Sequence, residues 1–122
     1  MSWVVEFDDA FEREFDLLDE KVRLKALAIF GLIEEFGPSL GRPKVDTLYD
    51  SAFPNMKELR FSVGREEWRV AFAFDPEQKG ILLIAGDKAG KNEKRFYKHL
   101  IATADQRFAA HLDKTYTERK KD

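Results

Sequence analysis

The sequence contains no cysteine, and this absence removes several kinds of chemistry at once. Disulfide bonds, thiolate metal sites and a cysteine nucleophile are excluded, and a reducing cytoplasm becomes the expected location. No apolar run approaches the roughly 20 residues that cross a bilayer, so we expect no membrane partner. The first residues, MSWVVEFDDAFE, are acidic and lack the basic start of a signal peptide.

Histidine is scarce as well, since the chain has two, His99 and His111. No carboxylate stands beside either one at a ligand-like spacing, so we expect neither a metal nor a cofactor. A Gly-x-Ser-x-Gly element is also missing, and the acidic residues cluster where helices are expected, without a clear acid/base pair. Most classes of enzyme are therefore unsupported.

The charge that is present is unevenly distributed along the 122 residues, although the net charge is only −2. Residues 1–41 hold ten Asp/Glu and four Lys/Arg, whereas residues 42–100 hold nine Asp/Glu and twelve Lys/Arg. A mildly acidic chain argues against indiscriminate nucleic-acid binding but permits a local basic face. The length suits one domain, which we place at residues 1–115, followed by a polar tail at residues 116–122.

Hydrophobic periodicity predicts an α+β fold of order β-α-α-β-β-β-α, with two amino-terminal helices on a small, mostly antiparallel sheet and a carboxy-terminal helix. The predicted strands cover residues 3–7, 56–63, 67–75 and 81–85. The predicted helices cover residues 10–18, residues 19–36 and a segment from a cap at Asn92 to about Lys114. The run ILLIA at residues 81–85 predicts a central strand buried on both faces, and the proline-rich residues 37–55 predict a connecting loop.

Helical spacing assigns an inner face to each of the two longer helices. In the second helix this face comprises Val22, Ala26, Ile29, Ile33 and Phe36. In the last helix it comprises Tyr97, Ile101, Ala104, Phe108 and Leu112.

Strand alternation places two arginines, Arg60 and Arg69, on the face of the central strands that is opposite the large apolar residues. Ala71 and Ala73 follow on the same face and leave room for either a helix or a ligand. An arginine in mid-strand needs a partner. That partner is either a phosphate group or, across the strands, Glu58.

The segment ILLIAGDKAGKNEKRFYKH at residues 81–99 has the outline of a phosphate-binding loop followed by a helix. A nucleotide P-loop requires four residues between its glycines and a hydroxyl after its lysine. Here three residues separate Gly86 from Gly90, and Asn92 follows Lys91, so the pattern excludes that site. The lysines alone are typical of a solvated surface. They indicate an RNA-binding site only if Arg60 and Arg69 lie close to them in the fold.

The succession MKELRF, EWRVAFAF and ILLIAGDKAGKNEKRFY before a terminal helix resembles the HigB-like branch of the RelE/ParE toxin superfamily, over nearly the whole chain. The resemblance implies a toxin of a type II toxin–antitoxin pair that enters the ribosome and cleaves messenger RNA without a metal. It also implies a partner antitoxin, often a helix-turn-helix protein. Two alternatives stay open: a same-fold toxin that inhibits DNA gyrase without nuclease activity, and a non-toxic phage-derived accessory protein.

The resemblance also suggests site residues. The catalytic candidates are Arg69, Arg60, Lys88 and Lys91. Arg69 is expected to stabilise transition-state charge, and the two lysines to act as a base or to contact phosphate. The RNA-binding candidates are Lys57, Lys94, Arg95, Tyr97 and Lys98. Tyr97 either orients or stacks on a base, or is a core aromatic of the last helix. Glu58 departs from the family pattern, because some nuclease relatives carry lysine there.

Overall fold

A computed structural model describes the backbone of residues 2–120 and the side chains of residues 2–115. The helices are α1 (Asp9–Asp16), α2 (Glu20–Phe36) and α3 (Glu93–Lys120), with a 3₁₀ turn at Gly37–Ser39. The strands are β1 (Val5–Phe7), β2 (Val45–Thr47), β3 (Lys57–Val63), β4 (Glu66–Phe74) and β5 (Gly80–Asp87). The predicted α+β order is confirmed, and β2 is added to it.

The five strands form one mixed sheet in the order β1-β5-β4-β3-β2. β1 runs parallel to β5, and the other neighbouring strands are antiparallel. β5 lies inside the sheet with its first five residues buried, as the run ILLIA predicted. β1 pairs with β5 only as far as Leu82, so within residues 2–120 the second half of β5 has no strand beside it on that side.

β2 lies in the segment that was predicted to be a connecting loop, and that prediction is wrong for these three residues. They pair antiparallel with β3, from Val45 opposite Leu59 to Thr47 opposite Lys57. A three-residue strand is too short to produce a detectable alternation. It is therefore held by its partner strand and not by local sequence preference.

Capping residues and a glycine set the ends of the first two helices. The Asp8 carboxylate accepts a hydrogen bond of 3.1 Å from the backbone N–H of Phe11, which starts α1. α2 begins after Asp19 and ends where Gly37 adopts a φ of 58°. A Cβ at Gly37 would lie 2.3 Å from the indole of Trp3, so glycine is required there twice over.

Two details of the predicted helices are wrong. Phe36, expected on the inner face of α2, is 46% exposed, because it is the last residue of that helix. α3 continues to Lys120, beyond the predicted end near Lys114, since no glycine or proline follows to stop it. The polar tail at residues 116–122 stays a prediction, because residues 121–122 and the side chains of 116–120 lie outside the described part.

The sheet separates two apolar layers. The layer against α1 and α2 contains Phe11, Phe15, Val22, Ala26, Ile29, Phe30, Ile33, Leu59, Val70, Phe72 and Leu82. The layer against α3 contains Ala71, Ala73, Ile81, Leu83, Ile84, Leu100, Ala104 and Phe108. The alanines of β4 therefore make room for a helix, which decides between the two alternatives that the sequence left open.

Among the helices of residues 2–120, none combines the length and apolar character that crossing a bilayer requires.

Candidate functional site

Arg60 and Arg69 lie directly opposite each other on β3 and β4. Like charges at such a cross-strand position repel each other. The carboxylate of Glu58, which is 4% exposed, offsets this repulsion. Its Oε2 atom lies 3.0 Å from Nη2 of Arg60, and its Oε1 atom lies 3.7 Å from Nε of Arg69. The pairing of Glu58 with Arg69 that the sequence allowed is thus present.

Arg69 is the more enclosed of the two arginines, with 10% of its side chain exposed against 37% for Arg60. Its Nη1 group donates a hydrogen bond of 2.9 Å to the carbonyl oxygen of Trp68 and lies 3.8 Å from Oε2 of Glu67. Within the described residues its buried Nε group has no hydrogen-bond acceptor. α3 covers this face of the sheet, so Arg69 lies beside Glu58 under the helix and does not line an open cleft.

Tyr97, in the first turns of α3, contacts the cluster of Glu58, Arg60 and Arg69 from the helix side. Its hydroxyl donates a hydrogen bond of 2.7 Å to Oε1 of Glu58. Burial, followed by the hydrogen bond and the charge of Glu58, raises the pKa of this phenol. The hydrogen bond with Glu58 also raises the pKa of Arg60. Tyr97 therefore keeps its proton at neutral pH, and that proton is directed at the carboxylate of Glu58.

A groove of about 950 Å³ opens beside this cluster, between α3 and the segment that leads from β2 to β3. Its lining includes the central groups Glu58, Arg60 and Tyr97 and three further cations, Arg42, Lys94 and Lys98. The lining also contains acidic and aromatic groups: Asp46, Tyr49, Asp50, Glu93 and Asp105. We call this space the Arg60 groove.

The Arg60 groove contains residues that the sequence did not single out. Asp46 of β2 lies 3.4 Å from Nη2 of Arg60 and 3.0 Å from Nη2 of Arg42. Tyr49 follows β2 and is 82% exposed. Both depend on the strand that was predicted to be a loop, so no sequence signal was available for them. Glu58, in contrast, was indicated by the sequence as a partner of the arginines, because alternation places it on their face.

The two lysine candidates of the loop separate in the structure. The ammonium group of Lys88 lies 2.9 Å from Oε1 of Glu93 and 5.8 Å from the ring centre of Tyr97, so it is close to the cluster. Lys91 instead lines a different cleft, on the other flank of α3, where its ammonium group lies 5.8 Å from the ring centre of Phe96. The lysines of residues 81–99 therefore lie on two different flanks of α3.

The RNA-binding candidates are divided in the same way. Lys94, Tyr97 and Lys98 line the Arg60 groove, and Arg95 lines the other cleft. Lys57 lies on the opposite face of the sheet from Glu58 and lines a separate hollow beside the 3₁₀ turn. Among the side chains of residues 2–115, no group of three or more His, Asp or Glu is arranged to hold a metal ion.

Polar contacts fix α3 to the rest of the fold in addition to its apolar packing. They include Tyr97–Glu58, Asp105–Ser51 at 2.5 Å, Arg107–Glu14 at 2.5 Å and His111–Asp75 at 2.9 Å. Burial opposes ionisation of Asp75, but hydrogen bonds from His111 and from backbone amides lower its pKa overall. The helix that covers Arg69 is thus anchored along its length.

This arrangement of helices and strands is the fold of the RelE toxins. The E. coli toxin RelE, in a mutant solved in the free state, superposes with a TM-score of 0.55 at 14% identity, covering 84% of this chain and 96% of that chain. The toxin–antitoxin complex RelBE2 from Mycobacterium tuberculosis also gives 0.55, at 13% identity, covering 71% and 99%. At identities this low, the superpositions establish the fold alone, and function has to be argued from the residues of the site.

Comparison of sequences identifies the family of the chain more specifically than the comparison of structures does. Residues 13–109 match the family of phage-derived proteins described as Gp49-like (DUF891). Two M. tuberculosis proteins that are named as toxins, HigB3 and HigB2, are 48% and 47% identical over 96 residues. The matched segments span 79% and 78% of this chain, 82% of HigB3 and 47% of HigB2. The chain therefore belongs to the Gp49-like family, in the HigB-like branch of the RelE/ParE toxin superfamily.

Proposed function

We propose that this protein is the toxin of a type II toxin–antitoxin pair and that it cleaves messenger RNA on the ribosome without a metal ion. The observation that carries the proposal is the meeting of Arg60, Tyr97 and Glu58 in the lining of one groove. A cation for phosphate and a hydrogen-bonded pair for proton transfer are within reach of one substrate position. The names of HigB3 and HigB2 support the toxin role.

Metal-free RNA cleavage requires two proton transfers and the stabilisation of added negative charge. The 2′-oxygen attacks the neighbouring phosphorus, a 2′,3′-cyclic phosphate forms, and the 5′-oxygen leaves. Arg60 stabilises the charge on the phosphate oxygens. Glu58 accepts the proton of the 2′-hydroxyl, and Tyr97 gives its proton to the departing 5′-oxygen. The proton on Glu58 then returns to the tyrosinate along the hydrogen bond of 2.7 Å, which restores the starting state.

The remaining candidates have supporting roles in this proposal. Arg69 is a positioning residue, because it does not line the Arg60 groove and acts through Glu58. Lys94 and Lys98 contact the phosphates on either side of the cleaved one. Each exposed lysine replaces the counterions of the phosphate that it contacts. Lys88 reaches phosphate once its ion pair with Glu93 opens.

An antitoxin partner is part of the proposal, and we expect it to contain a helix-turn-helix domain. The RelBE2 neighbour is a toxin–antitoxin complex, which supports a partner of this class. A neighbouring gene for a short helix-turn-helix protein would encode it. Because the ribosome and messenger RNA are the proposed targets, the proposed location is the cytoplasm.

The decisive test is to express the protein from a titratable promoter and map the 5′ ends of cellular messenger RNA. Wild type should produce cuts in translated codons, and these cuts should disappear when initiation is blocked. Tyr97→Phe removes one hydroxyl and should lower the cleavage rate by about 10²-fold or more. Tyr49→Phe is the matched control, since it removes an 82% exposed hydroxyl from the same groove, and it should cleave like wild type.

Other outcomes would support the alternatives. If Tyr97→Phe cuts as fast as wild type, its hydroxyl is not the proton donor. Growth arrest without translation-dependent cuts, together with DNA-damage signalling and co-purifying gyrase, would indicate a gyrase inhibitor. The absence of any effect on growth would indicate an accessory protein.

A further inference from the structure

A second opening lies on the other flank of α3 from the Arg60 groove. It is a cleft of about 500 Å³ between the second half of β5 and the first turns of α3, and we call it the β5–α3 cleft. The cleft exists because β1 ends opposite Leu82, which leaves this stretch of β5 without a neighbouring strand in the described part of the chain. Its apolar floor is formed by Ile84, Phe96 and Leu100.

The basic side chains of the β5–α3 cleft have no carboxylate partner among the residues that the structure describes. Lys91, Arg95 and His99 line it, at a spacing of four residues that places them on one side of the helix start. No carboxylate belongs to its described lining, and none of the three forms a salt bridge with a residue that the structure describes. Arg60 and Lys88, in contrast, each have a carboxylate partner. The positive potential of the cleft is therefore available to a ligand.

A glycine allows the ring of Phe96 to lie close to β5 in this cleft. A Cβ at Gly86 would lie 2.9 Å from Cε1 of Phe96, so glycine lets the ring rest against the backbone of β5. The ammonium group of Lys91 lies 5.8 Å from the centre of the same ring. An aromatic surface with cations at its margin suits a ligand that has both a flat body and an anionic group.

We infer that the β5–α3 cleft is a second subsite for single-stranded RNA, in which Lys91, Arg95 and His99 hold a phosphate and a base lies on Phe96. The inference rests on the proposed function for its choice of RNA. A free anion would not contact the apolar floor, whereas a nucleotide contacts the basic side chains with its phosphate and the apolar floor with its base. Lys94 and Lys98 face the Arg60 groove while Arg95 faces the cleft, so a strand that crosses the first turns of α3 contacts both sites.

The test measures binding separately from cleavage. A fluorescein-labelled hexanucleotide with 2′-O-methyl groups cannot be cleaved, and its affinity for the full chain is measured by anisotropy at several salt concentrations. Lys91→Ala/Arg95→Ala should weaken binding at least about tenfold and make the salt dependence shallower. Lys21→Ala/Lys25→Ala on α2 is the matched control, with the same change in charge, and should alter the Kd less than about twofold. An abasic hexanucleotide should bind wild type more weakly than the complete one.

Three results would overturn the inference. The first is an unchanged Kd for Lys91→Ala/Arg95→Ala, and the second is an equal loss in the α2 control. The third is a hexaglutamate peptide that binds more tightly than the RNA and displaces it, which would assign the cleft to an acidic protein segment. Because the hexanucleotide is not cleavable, wild type that binds it in the cleft but cuts no messenger would refute the proposed nuclease and leave this subsite standing.

Discussion

The two faces of the sheet are stabilised in different ways. The face against α1 and α2 contains a cluster of rings, Phe7, Phe11, Phe15 and Phe30, whose contacting pairs have centroids 5.1 to 5.9 Å apart. The face against α3 buries the charged groups Glu58, Arg69 and Asp75. Apolar burial is non-directional and mainly supplies stability. Buried charges need specific partners, so the second face is where geometry and chemistry depend on each other.

The largest expected effect on stability comes from the aromatic face. Phe11→Ala removes a 1% exposed ring that is stacked on Phe7, and it should lower the free energy of unfolding by about 3–5 kcal/mol. Urea denaturation followed by tryptophan fluorescence measures this change. Arg60 and Tyr97 lie on the other face, so whatever fraction remains folded should keep wild-type RNA affinity. A loss of affinity per folded molecule would mean that the two faces are coupled.

The same contrast explains what could be predicted from the sequence. Helical periodicity predicts the buried positions Val22, Ala26, Ile29 and Ile33 of α2, because their spacing places them on one side of the helix. The buried rings of Phe11, Phe15 and Phe30 were not assigned from the sequence. The polar face depends on partners far apart in the chain, such as Tyr97 with Glu58 and Arg107 with Glu14. Periodicity gives the face on which Arg69 lies but not the helix that covers it. The division of the lysines between two flanks of α3 likewise requires the three-dimensional packing.

The next largest effect should come from the charge cluster. Glu58→Gln preserves shape but leaves Arg60 and Arg69 facing each other without the carboxylate that contacts both, and it should cost about 1–3 kcal/mol. Arg69→Met in addition should restore part of that loss, because one of the opposed charges is gone. The double-mutant cycle should therefore give a coupling above about 0.5 kcal/mol. Additive losses would mean that Glu58 does not mediate between the arginines.

A smaller effect, with a defined pH dependence, is expected at the anchor of α3. Arg107 donates hydrogen bonds to Glu14 and to the carbonyl oxygen of Leu83, and the hydrogen bond lowers the pKa of Glu14. Since the folded pKa is below the unfolded value of about 4.3, the stabilisation is present above that pH and is lost as the pH falls through the folded pKa. Glu14 is 49% exposed, so its share is about 0.5–1 kcal/mol.

Arg107→Met should therefore lower stability at pH 6 and reduce the acid dependence between about pH 5 and pH 3, as measured by urea midpoints at each pH. Arg13→Met on α1 is a suitable control, because Arg13 contributes least to the shift at Glu14. It should leave the acid dependence close to that of wild type. An equal change in both variants would indicate net charge as the cause.

Small effects of opposite sign are expected at two glycines on the two sides of the molecule. Gly31 lies in α2, and a Cβ there would meet nothing within 4 Å, so Gly31→Ala should stabilise the protein by about 0.5–1 kcal/mol through helix propensity. Gly86→Ala would place a Cβ 2.9 Å from Phe96, and the ring would have to move at a cost of about 1 kcal/mol or more. Because that ring is the floor of the β5–α3 cleft, Gly86→Ala should also weaken binding of the hexanucleotide, whereas Gly31→Ala should not. Equal RNA affinity for the two variants would show that the floor of the cleft does not contact a base.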